Sequence, residues 1–189
     1  MENPTREYRN FNRKELEKVD RAVLRAEELV NNFFKMSSGQ WLKNRYDIKT
    51  AKDLAIHERI SGPFAQVIKY EGRKKEVPLG SSSFSLYNVC LQDPAILLKV
   101  KENKDLLLEP FLLYILTHEL VHVVRFSKFA HRYENVGETD LAMAEERKVH
   151  NLTYSILHMI SIPGLSDVFD FYREWHNFKG RGIIGKKNG

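Results

Sequence analysis

From Phe111 to Val124 the chain is apolar or aromatic at nearly every position, and the polar exceptions fall within Thr117-His118-Glu119-Leu120-Val121-His122. A run of that composition belongs in a core, and burying two imidazoles and a carboxylate is costly unless they meet one another or a metal. The pattern is H-E-x-x-H. On a helix His118 and His122 stand one turn apart on one face, so two ring nitrogens can converge on a single Zn²⁺. Glu119 is rotated by about 100° from His118. That sets its carboxylate beside the ion, where it can take a proton from water instead of ligating.

The rest of the chain sets the frame for this helix. At 189 residues, 42% hydrophobic and 29% charged, the chain suits one domain, residues 1–178, with a basic tail at 179–189. The net charge of +5 sits at the two ends, while 51–178 is close to neutral. That distribution argues against nucleic acid as the partner. No apolar run is long enough for a membrane span, and Met1–Glu7 lacks the apolar core of a signal peptide. With one cysteine, Cys90, read as a small buried residue, there is no internal disulfide and no C-x-x-C site, and a cytoplasmic setting is the simplest expectation.

Apolar residues at three- and four-residue steps predict a packing helix over 12–35, closed by Ser37-Ser38-Gly39. Lys49–Ile60 reads as a second short helix carrying His57 and Glu58 on a solvated surface. After Ser61-Gly62-Pro63 the period changes, and 64–91 reads as a small sheet with strands at Phe64–Tyr70 and Phe84–Leu91. A short helix opens at Asp93-Pro94, and the active helix is expected over 110–128, with Pro110 at its first position. A polar loop then leads to a helix over 140–160 and a last amphipathic one over Leu165–Phe178. The expected fold class is α+β, a small antiparallel or mixed sheet against a mostly helical layer.

A catalytic zinc takes three protein ligands and keeps one position for water. The metzincin extension is absent, because Arg125 stands at its glycine position and Lys128 at its histidine position. A di-iron bundle would need a second E-x-x-H, which the sequence lacks. The helix over 140–160 offers two glutamates. On its wheel Glu145 falls in the middle of the apolar face set by Leu141, Val149, Leu152, Ile156 and Met159, where a carboxylate needs a metal or a base, and Glu146 falls at the edge. The wheel favours Glu145.

Two strands, a buried H-E-x-x-H helix, a polar loop and a glutamate helix resemble, in that order, the minimal gluzincin (minigluzincin) metallopeptidases of the zincin class. The second helix is similar to that of the ImmA/IrrE-type family, E-x-x-A-N-x-F-A-x-x-L-L, with Glu146, Val149, His150, Leu152, Thr153, Ile156 and Leu157 at the corresponding steps. The resemblance covers about residues 84–160. It implies Zn²⁺ held by His118, His122 and Glu146, with Glu145 the rival, and His150 orienting a ligand from behind. Two positions depart from the pattern: His150 replaces Asn or Asp, which leaves it open as a ligand, and Val123 stands where a small residue is usual. The resemblance further implies hydrolysis of a peptide or protein substrate with Glu119 as general base, the peptide pairing with Phe84–Leu91 as an added strand. For the group that stabilises the oxyanion, the loop residues His131, Arg132 and Tyr133 are favoured over His158 and His176. The alternative function is a zincin-fold protein that binds metal without turnover and acts through protein partners.

Overall fold

The computed structural model describes residues 9–37, 44–73, 83–129 and 138–176. In chain order these form α1 (Arg13–Phe34), β1 (Asn44–Lys49), β2 (Ala65–Arg73), β3 (Ser83–Leu91), α2 (Asp93–Glu102), α3 (Leu108–Phe129), α4 (Glu138–Leu157) and α5 (Leu165–Phe171), with 3₁₀ turns at Ile56–Glu58 and Arg173–Trp175. The class is α+β. The expected tail over 179–189 lies outside the described residues.

α1 starts where a reciprocal cap forms: Glu15 N–H donates to the Asn12 side chain at 3.0 Å, and Asn12 N–H donates to the Glu15 carboxylate at 2.8 Å. It stops at Lys35, which takes a left-handed conformation (φ 50°). Its buried positions, Val19, Ala22, Ala26 and Val30, follow the helical repeat and face α3. Two of the four are alanines, which lets the helix backbones come close. α3 is the central element of the core. Every residue from Pro110 to Val121 is buried, and Phe111, Leu112, Leu116, Leu120 and Val121 are wholly inaccessible. The helix begins at Leu108, so Pro110 lies inside the first turn, where no intrahelical N–H bond is lost. No described helix is long and apolar enough to cross a membrane.

The sheet has the order β1-β3-β2, with β1 parallel and β2 antiparallel to β3. β3 is therefore central and paired along both edges, from Asn44↔Ser85 to Lys49↔Cys90 on one side and from Ala65↔Leu91 to Arg73↔Ser83 on the other. Its Tyr87, Val89 and Leu91 join the main core with the helices, while Asn88 and Cys90 are buried on the opposite face. Its central place corrects the expectation that Phe84–Leu91 pairs with a peptide, since a strand bonded on both sides has no ladder groups left to offer.

The expected helix over Lys49–Ile60 is also corrected. Lys49 ends β1, and the chain continues through a turn and a single 3₁₀ turn. Glu58 is not a surface residue: it is 1% exposed and forms the centre of a polar cluster. Its carboxylate accepts from Lys49 Nζ (2.9 and 3.2 Å), Ala55 N (2.8 Å), Tyr70 OH (3.0 Å) and Asn88 Nδ2 (3.0 Å). Gathering these donors outweighs the loss of hydration and ties the 51–60 segment to the sheet face. The Lys49 ammonium above all, then the Ala55 and Asn88 bonds, hold the Glu58 carboxyl down to about 2 from its ordinary 4.5. A depressed folded value stabilises the fold fully above pH 4.5 and loses that contribution as the pH falls towards 2. Glu58→Gln is expected to cost about 1–3 kcal/mol near neutrality. In urea melts across that acid window it should show a flatter loss of stability than the parent chain.

α5 ends at Phe171 and a 3₁₀ turn follows, so the continuous helix expected over Leu165–Phe178 is broken at Tyr172. The break lets the Tyr172 ring lie flat on Tyr114, at 4.2 Å and 9° between planes, and brings Trp175 and His176 against α3 and α4. Gly164 sets the approach of α5. It has φ +82°, and a Cβ there would stand 2.8 Å from Leu107 Cδ1. Gly164→Ala is accordingly expected to destabilise by about 1–3 kcal/mol in thermal or urea unfolding.

Candidate metal centre

Three elements build the site. α3 supplies Tyr114, His118 and His122 at four-residue steps, a stripe along one face, with Glu119 beside it. α4 supplies Glu145, Glu146 and His150. The segment after α5 supplies Tyr172, Trp175 and His176.

His118 Nε2 and His122 Nε2 are 3.1 Å apart, and Glu146 closes the triangle with Oε1 at 3.4 Å from His118 Nε2 and Oε2 at 2.9 Å from His122 Nε2. Donors held about 2.0–2.2 Å from one tetrahedral ion stand roughly 3.3 Å from each other. The three groups therefore fit a single zinc-sized ion. The Nδ1 atoms of both histidines are buried and have no hydrogen-bond partner among the described residues, so Nε2 is the atom by which each ring meets the cluster. One donor atom each from His118, Glu146 and His150 also lies within 4.8 Å of the others.

Electrostatics follow the geometry. Burial pushes the Glu146 carboxyl up, but bonds with His118 and His122 outweigh it and hold the group far below the carboxylate range. Burial pulls His122 down, and the Glu146 bond with the charges of Glu119 and Glu146 raises it overall. Glu119 is 7% exposed, and burial raises its carboxyl against the opposing pull of His118 and His122. His150 falls to about 3 and His176 to about 4, burial being the first cause in each, so both rings are neutral at physiological pH.

The two rival glutamates separate cleanly. Glu145 pairs with Arg125, whose Nη2 donates to Oε2 at 2.7 Å while Nε donates to Oε1. The wheel favoured Glu145 as the ligand because a carboxylate in an apolar face needs a metal or a base; its partner is a base, Arg125, a buried residue of α3. Glu146 is the carboxylate that reaches the histidines.

His150 does not orient a ligand by hydrogen bonding: among the described residues its hydrogen bond joins Nδ1 and Tyr114 OH, 2.8 Å apart. Tyr114 OH is also 2.8 Å from His176 Nε2. His131, Arg132 and Tyr133, expected to stabilise the oxyanion, lie outside the described residues. A cavity of about 230 Å³ opens on the cluster, lined by Pro63, Phe64 and Ala65 at the start of β2 and by His118, Glu119, Glu146, His150, Tyr172 and Trp175 among others. The sequence reading missed the tyrosines and Trp175. Tyr114 carried a usable signal, since it precedes His118 by one turn on the same face; Tyr172 and Trp175 carried none, because only the broken helix brings them there.

No family model, curated protein or solved structure matches the chain.

Proposed function

We propose that the protein is a zinc-dependent metallopeptidase. The observation that carries this reading is the convergence of His118 Nε2, His122 Nε2 and the Glu146 carboxylate within 2.9–3.4 Å of one another, beside a buried carboxyl, Glu119, in the same cavity. Zinc, when bound, acidifies water and polarises a carbonyl. The protein's residues supply the rest. Glu119 takes the proton from the attacking water on a carboxylate oxygen and delivers it to the leaving amine, so water adds across one peptide bond. Burial raises the carboxyl above the ordinary range, which makes it the stronger base towards that water.

For the substrate, an extended peptide is the form that suits the walls. β3 is fully paired, but the outer edge of β2 carries no strand among the described residues, and its first residues line the cavity. A peptide added along that edge would run past Glu119, with apolar side chains against Phe64 and Trp175. The test is a proteome-derived peptide library incubated with the zinc-loaded full chain, the new termini being read by mass spectrometry. Cleavage at peptide bonds flanked by apolar residues is expected. A zinc-loaded chain that cuts no peptide would contradict the enzyme and leave a metal-binding interaction module.

A further inference from the structure

We propose that His150 is the residue that stabilises the oxygen on which negative charge develops during peptide hydrolysis, donating Nε2–H to it, and that Tyr114 and His176 fix the His150 tautomer. This rests on the metallopeptidase reading above and supplies the group that the sequence had placed on the loop residues.

Position comes first. His150 is 6% exposed, stacks on Trp175 at 4.8 Å and 29° between planes, and lines the cavity that holds His118, Glu119 and Glu146. Its ring centroid is 4.4 Å from that of His118. Yet it forms no hydrogen bond or ion pair with His118 or Glu146, although a donor atom of each lies within 4.8 Å. His118, His122 and Glu146 are drawn together at 2.9–3.4 Å, while His150 stands back from them. That offset suits a group reaching an oxygen held against the cluster better than it suits a fourth ligand.

Tautomer chemistry then decides what His150 offers. Tyr114 OH sits 2.8 Å from both His150 Nδ1 and His176 Nε2, and a hydroxyl has one proton to give. If Tyr114 donates to His176, His150 must donate from Nδ1 and turns a bare Nε2 lone pair towards the cluster. If Tyr114 donates to His150 Nδ1, His176 Nε2–H donates to the Tyr114 oxygen and His150 keeps Nε2–H as a donor. A donor atom of Glu146 lies within 4.8 Å of a ring nitrogen of His150, and a carboxylate beside that ring favours an N–H over a lone pair, as in the second arrangement. Tyr114 is a positioning residue in this scheme: buried, stacked on Tyr172 and unable to rotate away.

Two measurements test it on the full chain. Long-range ¹⁵N–¹H correlation on histidine-labelled protein, with His150 assigned by its loss in His150→Gln, should show Nε2 protonated and Nδ1 bare. Tyr114→Phe should lose that fixed tautomer. The second measurement is calorimetry of the zinc-loaded chain with a phosphinic pseudopeptide as the oxyanion probe. His150→Ala should weaken probe binding about 100-fold, and His150→Gln should recover part of it through its amide N–H, with zinc affinity unchanged within threefold in both. An Nδ1-protonated His150, or a tenfold or larger fall in zinc affinity with probe binding unaffected, would overturn the proposal and make His150 a ligand. A parent chain that takes up no zinc would remove the metallopeptidase reading and this inference with it, whereas a chain that keeps zinc but fails the other tests removes the inference alone.

Discussion

Glu119→Gln is expected to retain zinc at the parent stoichiometry and to lose peptide hydrolysis by about 10²–10⁴-fold. The two halves of that result come from one geometry. Glu119 belongs to the α3 turn that carries both histidines, but the three donors that close on one another are His118, His122 and Glu146. Its carboxyl is buried without a hydrogen-bond donor among the described residues, so an uncharged amide of equal size removes the base without leaving an ion unpaired. Elemental analysis beside turnover on any peptide found in the library separates the effects. Parallel loss of zinc and activity would make Glu119 a ligand and defeat its assignment as base.

The second large effect is a dissociation between neighbouring glutamates. Glu146→Gln removes a charged donor from the cluster and should weaken zinc binding by at least 100-fold, since even loss of a partner behind the ligands costs 10–100-fold. Stability should fall less than in Glu145→Gln, because Glu146 is half-buried and its partners are two histidines rather than an arginine. Glu145→Gln should do the reverse. It leaves Arg125, 6% exposed, without its bidentate carboxylate, at a cost of about 3 kcal/mol, while zinc stays bound. Metal titration and urea unfolding on the two variants give opposite orders, and the same order in both would mean that α4 is rotated from the position described.

How much of this could be read in the sequence depended on whether the deciding contacts were local. α1 and α3 were legible because their repeats, caps and length are local properties, and the H-E-x-x-H spacing fixed one face of α3 by itself. The wheel marked Glu145 as a carboxylate in need of a metal or a base and so favoured it as the ligand; Arg125, the base it meets, lies on another helix, and no pattern within α4 could point to it. β1 was missed although Tyr46 and Ile48 alternate with Arg45, Asp47 and Lys49; six residues of alternation are weak beside so many charges. Missing β1 also displaced β3 from the middle of the sheet to its edge, and with it the expected peptide partner. Glu58 was misread for the same reason as Glu145: its donors come from β1, β2 and β3, and only the assembled sheet brings them together.

The central claim is that three side chains from two helices hold one zinc ion. Its most direct measurement is zinc per chain by elemental analysis, in the parent protein and in His118→Ala, Glu145→Gln and Glu146→Gln. The account predicts about one zinc per chain in the parent and in Glu145→Gln, and its loss in His118→Ala and Glu146→Gln. Folded parent chain that carries no transition metal, and takes up none when zinc is supplied, would contradict it.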